Sequence, residues 1–279
     1  ETGILNKYPK NIRALEGLKT IRQNSLPAEV NFNQCVKKLI EYYNARQYSE
    51  LILFGEKAAL QFPEKVIIKN IMGAGYTALN QFSNAINHYK AALKLEPKNA
   101  EVLNNLGLTF KAIGNFKKAN ECFENSLSVK PNFAEAFNNM ALSLKEERKF
   151  EKAIISLEKA IALKNNYAEA YYNLGNVYSL LGELEKSINM FTRAIDIKSN
   201  YFDAYNNLGA VFNLKKDYDK AYQNIQKAIS LNPNNADAYN NLGTSALNLN
   251  KEDEAIAHYK KAISIDTVSY THLTLPTKA

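Results

Sequence analysis

Apolar residues in the middle of the chain recur every three or four positions, which is the spacing of an amphipathic α-helix. In residues 100–133 a first apolar series is followed by a Gly-Asn break, a second apolar series and then Pro131. The two series consist of Leu103, Leu106, Phe110 and Ile113, then Phe116, Ala119, Phe123, Leu127 and Val129. Because proline cannot continue a helix, the pattern predicts a hairpin of two helices that ends before Pro131.

The same pattern recurs with a period of 34 residues. A small residue marks one position of each first helix, at Gly73, Gly107, Ala141, Gly175, Gly209 and Gly243. A fixed period of this length predicts an all-α solenoid, in which each hairpin buries its apolar face against its neighbours. We divide residues 66–266 into the units 66–99, 100–133, 134–167, 168–201, 202–235 and 236–266. A degenerate unit precedes them at 32–65, and a partial or degenerate repeat occupies 1–31.

Two glycines of the unit 168–201 have different predicted roles. Gly175 lies inside the first helix, where glycine costs about 1 kcal/mol relative to alanine. We therefore expect another backbone to approach it closely. Gly182 lies in the turn between the helices, where we expect a positive φ that disfavours a large residue.

The last twelve residues of the chain do not follow the repeat. Residues 268–279 have no helical period, and we expect them to be an unrelated tail of artefactual origin. The last hairpin, 236–266, then lacks a capping helix with a polar outer face. We expect this hairpin either to fray or to self-associate with a second copy of the chain.

Composition and charge argue against a nucleic-acid-binding or membrane-spanning protein. The net charge of +7 could indicate an anionic partner, but the lysines are spread among acidic residues without a basic block. We therefore predict no nucleic-acid partner, and the lack of an 18-residue apolar run predicts no membrane span. Cys35 and Cys122 define no disulfide framework and are interpreted as core residues in a reducing compartment, which favours a cytoplasmic location.

The sequence contains no catalytic motif. G-x-S-x-G, the P-loop, H-E-x-x-H and G-x-G-x-x-G are all absent from it. His88 and His258 occupy equivalent places on second helices, each beside a tyrosine, and we interpret them as surface residues of the repeat. We predict no catalytic residue, no metal site and no cofactor in these residues.

An acidic residue stands at the second position of five units when residues 100, 134, 168, 202 and 236 are counted as position one. These residues are Glu101, Glu135, Glu169, Asp203 and Asp237. Four of them follow an asparagine by three residues, at Asn132, Asn166, Asn200 and Asn234. This spacing favours an N-cap with an acid at the third helical position, where it also meets the helix dipole. A stripe that binds a partner is the alternative.

Asparagine fills the sixth position of the same units and most of the fifth positions. The sixth-position residues are Asn105, Asn139, Asn173, Asn207 and Asn241, and the fifth-position residues are Asn104, Asn138, Asn206 and Asn240. Asparagine is a mediocre residue inside a helix, so capping does not explain it there. We expect the stacked hairpins to align these amides on one surface, where each can donate to and accept from an extended peptide. Hydrogen bonds between repeats or to water are the alternative.

The chain resembles the tetratricopeptide repeat family, whose signature is W-x2-L-G-x2-Y…A-x3-F…P. Residues 100–133 match it with Leu106, Gly107, Phe110, Ala119, Phe123 and Pro131, while Leu103 replaces the tryptophan. The closing proline is replaced by Asn165, Ser199 and Thr267 in later units. The resemblance covers residues 66–266 strongly and residues 1–65 weakly. It implies a right-handed superhelix of about seven hairpins that serves protein–protein interaction.

The asparagine row resembles the peptide-holding row in the repeat domain of O-linked N-acetylglucosamine transferases and of bacterial repeat-containing transferases. The resemblance implies that the asparagines clamp a protein or peptide ligand in a concave groove, as the substrate-recruiting part of a longer transferase. A stand-alone scaffold that assembles a complex through its convex or edge surfaces is the alternative. Relatives that bind chaperones clamp a terminal carboxylate with lysine and arginine, whereas this face offers acids and amides.

Overall fold

The computed structural model describes the backbone of residues 31–274 and the side chains of residues 31–266. The chain divides into two compact units, Glu1–Pro131 and Asn132–Ala279. All regular structure in the described part is α-helical. The predicted all-α repeat fold is therefore confirmed, and the partial repeat expected at 1–31 lies almost wholly outside the described residues.

Each helix falls at a fixed place in the 34-residue frame. The helices of the unit Glu1–Pro131 are α1 (Phe32–Asn44), α2 (Tyr48–Gln61), α3 (Val66–Ala78), α4 (Phe82–Leu95), α5 (Ala100–Ala112) and α6 (Phe116–Val129). Those of the unit Asn132–Ala279 are α7 (Ala134–Glu146), α8 (Phe150–Leu163), α9 (Ala168–Leu180), α10 (Leu184–Ile197), α11 (Phe202–Leu214), α12 (Tyr218–Leu231), α13 (Ala236–Asn248) and α14 (Glu252–Thr274). Odd-numbered helices are the first and even-numbered helices the second of each hairpin. Within each unit, successive hairpins stack and their first helices are neighbours.

A left-handed residue makes the turn between the two helices of every described hairpin. The φ angle there lies between 57° and 75° at Arg46, Asn80, Gly114, Arg148, Gly182, Lys216 and Asn250. Gly182 has the expected positive φ, at +74°, but no atom lies within 4 Å of a β-carbon added to it. Arginine, lysine and asparagine hold the same conformation in other hairpins, so any cost of a side chain at Gly182 comes from the positive φ and not from a lack of space, and the expected intolerance of a large residue stays a prediction.

In five hairpins the glycine at the small position of the first helix faces a large side chain of its own second helix. A β-carbon at Gly175 would lie 2.7 Å from two ring carbons of Phe191, and one at Gly107 would lie 2.6 Å from the ring of Phe123. The close approach that we expected from a backbone thus comes mainly from a ring. In the hairpin 32–65 the sizes are reversed, since Leu39 is buried at the small position and Gly55 replaces the ring.

The N-caps differ from the prediction by one residue. Helices α7, α9 and α11 begin after Phe133, Tyr167 and Tyr201, and no side chain caps them. Only α5 and α13 among the five helices considered have an asparagine cap, at Asn99 and Asn235. The acids of the second position do lie in the first helical turn, so their interaction with the helix dipole stands.

The cysteines and the last helix differ in how far they follow the sequence pattern. Cys35 and Cys122 are buried free thiols, and burial raises the pKa of Cys122 to about 11. Helix α14 continues to Thr274, so the backbone of the expected tail begins as a continuation of the last helix. No helix in the described part of the chain is long and apolar enough to cross a membrane.

His88 and His258 are half-buried, which corrects their interpretation as surface residues. The ring of His88 stacks on Tyr76 with centroids 5.1 Å apart, and His258 lies near Tyr222 and Tyr239. Burial lowers the pKa of both histidines, although nearby Glu56 and Glu254 oppose this shift. Nε2 of His258 is buried without a hydrogen-bond partner among the described residues.

We predict that this burial makes the protein less stable at mildly acidic pH. A histidine with a lowered pKa in the folded state binds fewer protons than in the unfolded state, so stability falls as pH drops through about 6.5. His258→Phe keeps a ring between the two tyrosines and removes the titration. The fall in melting temperature from about pH 7.5 to about pH 5.5 should then be smaller than in the parent. Parallel melting curves for variant and parent would contradict this account.

Candidate functional site

The candidate site lies on the side of the first helices that faces away from their second helices. We call it the first-helix face and define it by positions two, five, six, nine and thirteen of each first helix. At 100° per residue these positions fall on one side of a helix, opposite the buried third, seventh and eleventh positions. In α11 the face consists of Asp203, Asn206, Asn207, Ala210 and Leu214. In α13 it consists of Asp237, Asn240, Asn241, Thr244 and Asn248.

The sixth-position amides form hydrogen bonds between successive first helices. In the unit Asn132–Ala279, Nδ2 of Asn173 donates to Oδ1 of Asn138 at 2.8 Å. Nδ2 of Asn241 likewise donates to Oδ1 of Asn206 at 3.2 Å. In each pair the acceptor belongs to the fifth position of the preceding hairpin. The alternative of hydrogen bonds between repeats therefore accounts for part of the asparagine pattern.

Two further sixth-position amides follow the same rule. Nδ2 of Asn207 donates to the hydroxyl of Tyr172, which occupies the fifth position, and also to Oδ1 of Asn176 at 2.8 Å. In the unit Glu1–Pro131, Nδ2 of Asn105 donates to Oδ1 of Asn70 at 3.0 Å. These bonds fix the orientation of the side chains, and they leave each amide with further donor or acceptor capacity.

The structure separates the nine asparagines by exposure. Asn104, Asn138 and Asn173 are buried, with Asn138 only 1% exposed. Asn105, Asn139, Asn206, Asn207 and Asn241 are half-buried, and Asn240 is exposed. The expectation that all nine amides lie on one open surface is therefore corrected, because some of them fill the contact between adjacent first helices. The accessible asparagines of the second unit are concentrated on α11 and α13.

The acids of the second position are exposed, but their surroundings differ along the chain. Glu101 forms an ion pair of 2.8 Å with Lys130, and this hydrogen bond lowers the pKa of the carboxylate. Glu135 forms an ion pair of 3.4 Å with Lys164. Among the described residues of the second unit, Glu169, Asp203 and Asp237 have no ion pair within 4 Å.

The other candidate sites are a cavity in the second unit and a metal centre. A cavity of about 370 Å³ lies between α8, α9 and α10, lined mainly by apolar atoms of Ile161, Leu174, Tyr178 and Met190. Within the part of the chain that the structure describes, no three His, Cys, Asp or Glu side chains are grouped to hold a metal ion. The first-helix face of α9, α11 and α13 instead presents amides and carboxylates at regularly repeated positions.

Comparison with protein families gives several matches to models of one family. Models described as tetratricopeptide repeat or TPR repeat match residues 73–114, 100–133, 144–182, 168–201, 202–235 and 224–257. Together these matches cover residues 73–133 and 144–257, more than half of the chain. A comparison with curated proteins found no match.

Solved structures of similar proteins agree with this assignment. A crystal structure of MamA is 30% identical, with a TM-score of 0.55, and the alignment covers 60% of this chain and 97% of that one. Two others show likeness of fold alone. The structure of the APC/C hetero-tetramer Cut9–Hcn1 is 17% identical, covering 85% of this chain and 47% of that one, with a TM-score of 0.71. YrrB, described as a TPR protein with an unusual peptide-binding site, is 23% identical over 66% of this chain and 95% of its own, with a TM-score of 0.51.

Proposed function

We propose that this chain, which belongs to the tetratricopeptide repeat family, binds an extended segment of a partner protein on the first-helix face of α11 and α13. Repeats of this family generally mediate protein–protein interaction. The observation that carries the more specific proposal is the set of accessible amides at Asn206, Asn207, Asn240 and Asn241. An extended backbone presents alternating N–H and C=O groups, and an amide side chain can pair with both.

The hydrogen bonds between helices support the proposal because they hold the amides of Asn206, Asn207 and Asn241 in place before a ligand arrives. Asn206 accepts from Asn241, and Asn207 donates to Tyr172 and Asn176. Fixing a side chain on binding costs conformational entropy. Here the hydrogen bonds fix the side chains when the chain folds, so binding itself loses less entropy. Among the described residues, Oδ1 of Asn207 and the NH₂ group of Asn206 form no hydrogen bond and are available as acceptor and donor for a ligand.

The proposal is tested by selecting peptides from a random displayed library on the purified chain and measuring their affinity for variants. We expect Asn206→Ala combined with Asn240→Ala to weaken the selected peptides at least tenfold, which is ~1.4 kcal/mol. Asn224→Ala is a matched control, since this amide on α12 donates to the carbonyl of Lys220 and lies outside the first-helix face. Equal affinity for the double variant and the control would contradict the proposal.

We consider two roles for such an interaction, recruitment of a substrate to a transferase and assembly of a protein complex. By its resemblance to repeat-containing transferases, we propose that the face recruits a peptide substrate for a transferase. The alternative is a scaffold that assembles a complex without catalysis. A transferase domain encoded in the same gene would support the first form, and a gene without one would favour the scaffold.

Self-association through the last hairpin stays a prediction. Ile256 and Ile263 of α14 are exposed apolar residues on this hairpin. An apolar surface that lacks a cover favours association. Sizing at two protein concentrations should show a concentration-dependent shift, and a monomer at both concentrations would exclude it.

A further inference from the structure

Three successive first helices of the second unit carry one charged side chain each, and in each case the charge is negative. The sequences of α9, α11 and α13 contain no lysine, arginine or histidine. Their charged residues are Glu169, Asp203 and Asp237, all at the second position and all exposed. The chain as a whole has a net charge of +7, so this face is acidic on an otherwise basic protein.

The lysine that pairs with the acid in earlier hairpins is replaced in two of these three, and in the third it forms no ion pair with Glu169 within 4 Å among the described residues. Lys130 and Lys164, at position 31 of their hairpins, pair with Glu101 and Glu135. The equivalent residues of the next hairpins are Lys198, Asn232 and Asp266. Lys198 lies over the ring of Tyr201, with Nζ 4.5 Å from the centroid. Glu169 accepts a hydrogen bond from Nδ2 of Asn138 at 3.4 Å, but all three carboxylates are exposed and can still meet a positively charged group.

Asp237 also borders a cavity that suits a long basic side chain. The cavity has a volume of about 480 Å³, and its polar lining includes Asp237, Asn240 and Asp266. Ala262 and Ile263 supply apolar walls. A lysine or arginine could pack its aliphatic stem on these walls while its charged end meets the two carboxylates.

Exposed leucines lie at the opposite end of the same face. Leu180 and Leu214 occupy the thirteenth position of α9 and α11 and are 61% and 65% exposed. Leu247, one position earlier in α13, is 50% exposed. A single exposed leucine needs no explanation, but here leucines recur at nearly the same register in neighbouring helices. They lie about 16 Å along each helix from the acids, since eleven residues rise 1.5 Å each.

We infer that the first-helix face of α9, α11 and α13 binds a segment in which basic and apolar side chains alternate. This inference rests on the proposed function and specifies the chemistry of the partner. An extended segment that crosses the helices directs successive side chains to opposite sides. Basic side chains on one side meet Glu169, Asp203 and Asp237, and apolar side chains on the other cover the leucines. Charge complementarity disfavours an acidic segment on this face.

The test uses blocked synthetic peptides that differ only in the side chains at issue. Three helices packed about 10 Å apart span about 20 Å, which about six extended residues cross, so peptides of about ten residues are long enough. One peptide alternates lysine with leucine, a second replaces lysine by glutamate, and a third replaces leucine by serine. We expect only the lysine–leucine peptide to bind the parent chain measurably, and its affinity should fall as salt is raised.

Variants of the chain distinguish this face from unspecific attraction. Leu180→Ser with Leu214→Ser should weaken the lysine–leucine peptide at least tenfold, as should Asp203→Asn with Asp237→Asn at low salt. The matched controls are Leu53→Ser with Leu60→Ser, which change equally exposed leucines of α2, and Asp219→Asn, which removes an exposed acid of α12. These controls should bind the peptide as the parent does.

The outcomes separate the inference from the proposed function. Equal or tighter binding of the glutamate peptide, absence of binding by the lysine–leucine peptide, or equal losses in the controls would overturn the inference. If library peptides that depend on Asn206 and Asn240 prove acidic, the inference fails while the proposed function stands. If library peptides are insensitive to those asparagines, the proposed function fails first.

Discussion

Phe191→Ala is expected to lower the free energy of unfolding by about 3–5 kcal/mol, the usual cost of removing a buried ring. Phe191 is fully buried and belongs to a cluster with Leu208, Val211 and Ile225. The substitution therefore leaves a cavity between two stacked hairpins of the second unit. Chemical denaturation followed by helical circular dichroism measures the loss.

The control for this variant is Ile155→Ala, which shortens an exposed side chain of α8. Its effect should stay within about 0.5 kcal/mol, as for most surface substitutions. A loss in Phe191→Ala no larger than that of the control would show that the ring does not stabilise the stack.

Gly175→Leu is expected to cost roughly 1–3 kcal/mol by overpacking. Even a β-carbon at this position would lie 2.7 Å from the ring of Phe191, so a leucine requires the ring or the helix to move. The control Gly182→Asn changes the other glycine of the same hairpin, in the turn. It should cost less than Gly175→Leu, because no atom crowds this position and Asn80 and Asn250 adopt the same positive φ in their hairpins.

The double variant Gly175→Leu with Phe191→Ala tests the steric explanation. Its cost should be less than the sum of the two single costs, because the hairpin 32–65 already combines Leu39 with Gly55 at these positions. Simple additivity in this double-mutant cycle would contradict a direct contact between the two positions. A melting temperature of Gly175→Leu equal to that of the parent would contradict it as well.

The helices and their frame could be predicted from the sequence because the same signals recur in every hairpin. Apolar spacing, a turn residue and a small residue return every 34 positions, so an error in one unit is corrected by the others. The predicted turn at Gly114 and the end of a helix before Pro131 agree with the observed bounds of α5 and α6. Local chemistry suffices for such features.

Contacts between hairpins could not be predicted in the same way. Helical periodicity places Asn138 and Asn173 on the first-helix face, but their burial depends on how closely the next first helix packs. The same reason explains the half-buried His258, which lies near Tyr222 of the preceding hairpin. The N-cap was predicted one residue too early because asparagine is a preferred cap, whereas the helices begin after the next residue of the repeat.

The leucines of the first-helix face were missed although the sequence contains a signal for them. Leu180 and Leu214 occupy the same position of the repeat, and the first helices that carry them contain no basic residue. A recurring leucine in a helix is normally assigned to the core, so its exposure is not expected from the sequence. Only their exposure in the folded structure separates these two leucines from buried ones.

The central claim is that the first-helix face of α11 and α13 binds a partner segment through its amides. Nuclear magnetic resonance of side-chain NH₂ groups tests it most directly, with a library-selected peptide added to the labelled chain. The account predicts that the NH₂ resonances of Asn206 and Asn240 shift on binding, while that of Asn224 on α12 stays in place. Shifts confined to residues of the second helices, with Asn206 and Asn240 unchanged, would contradict it.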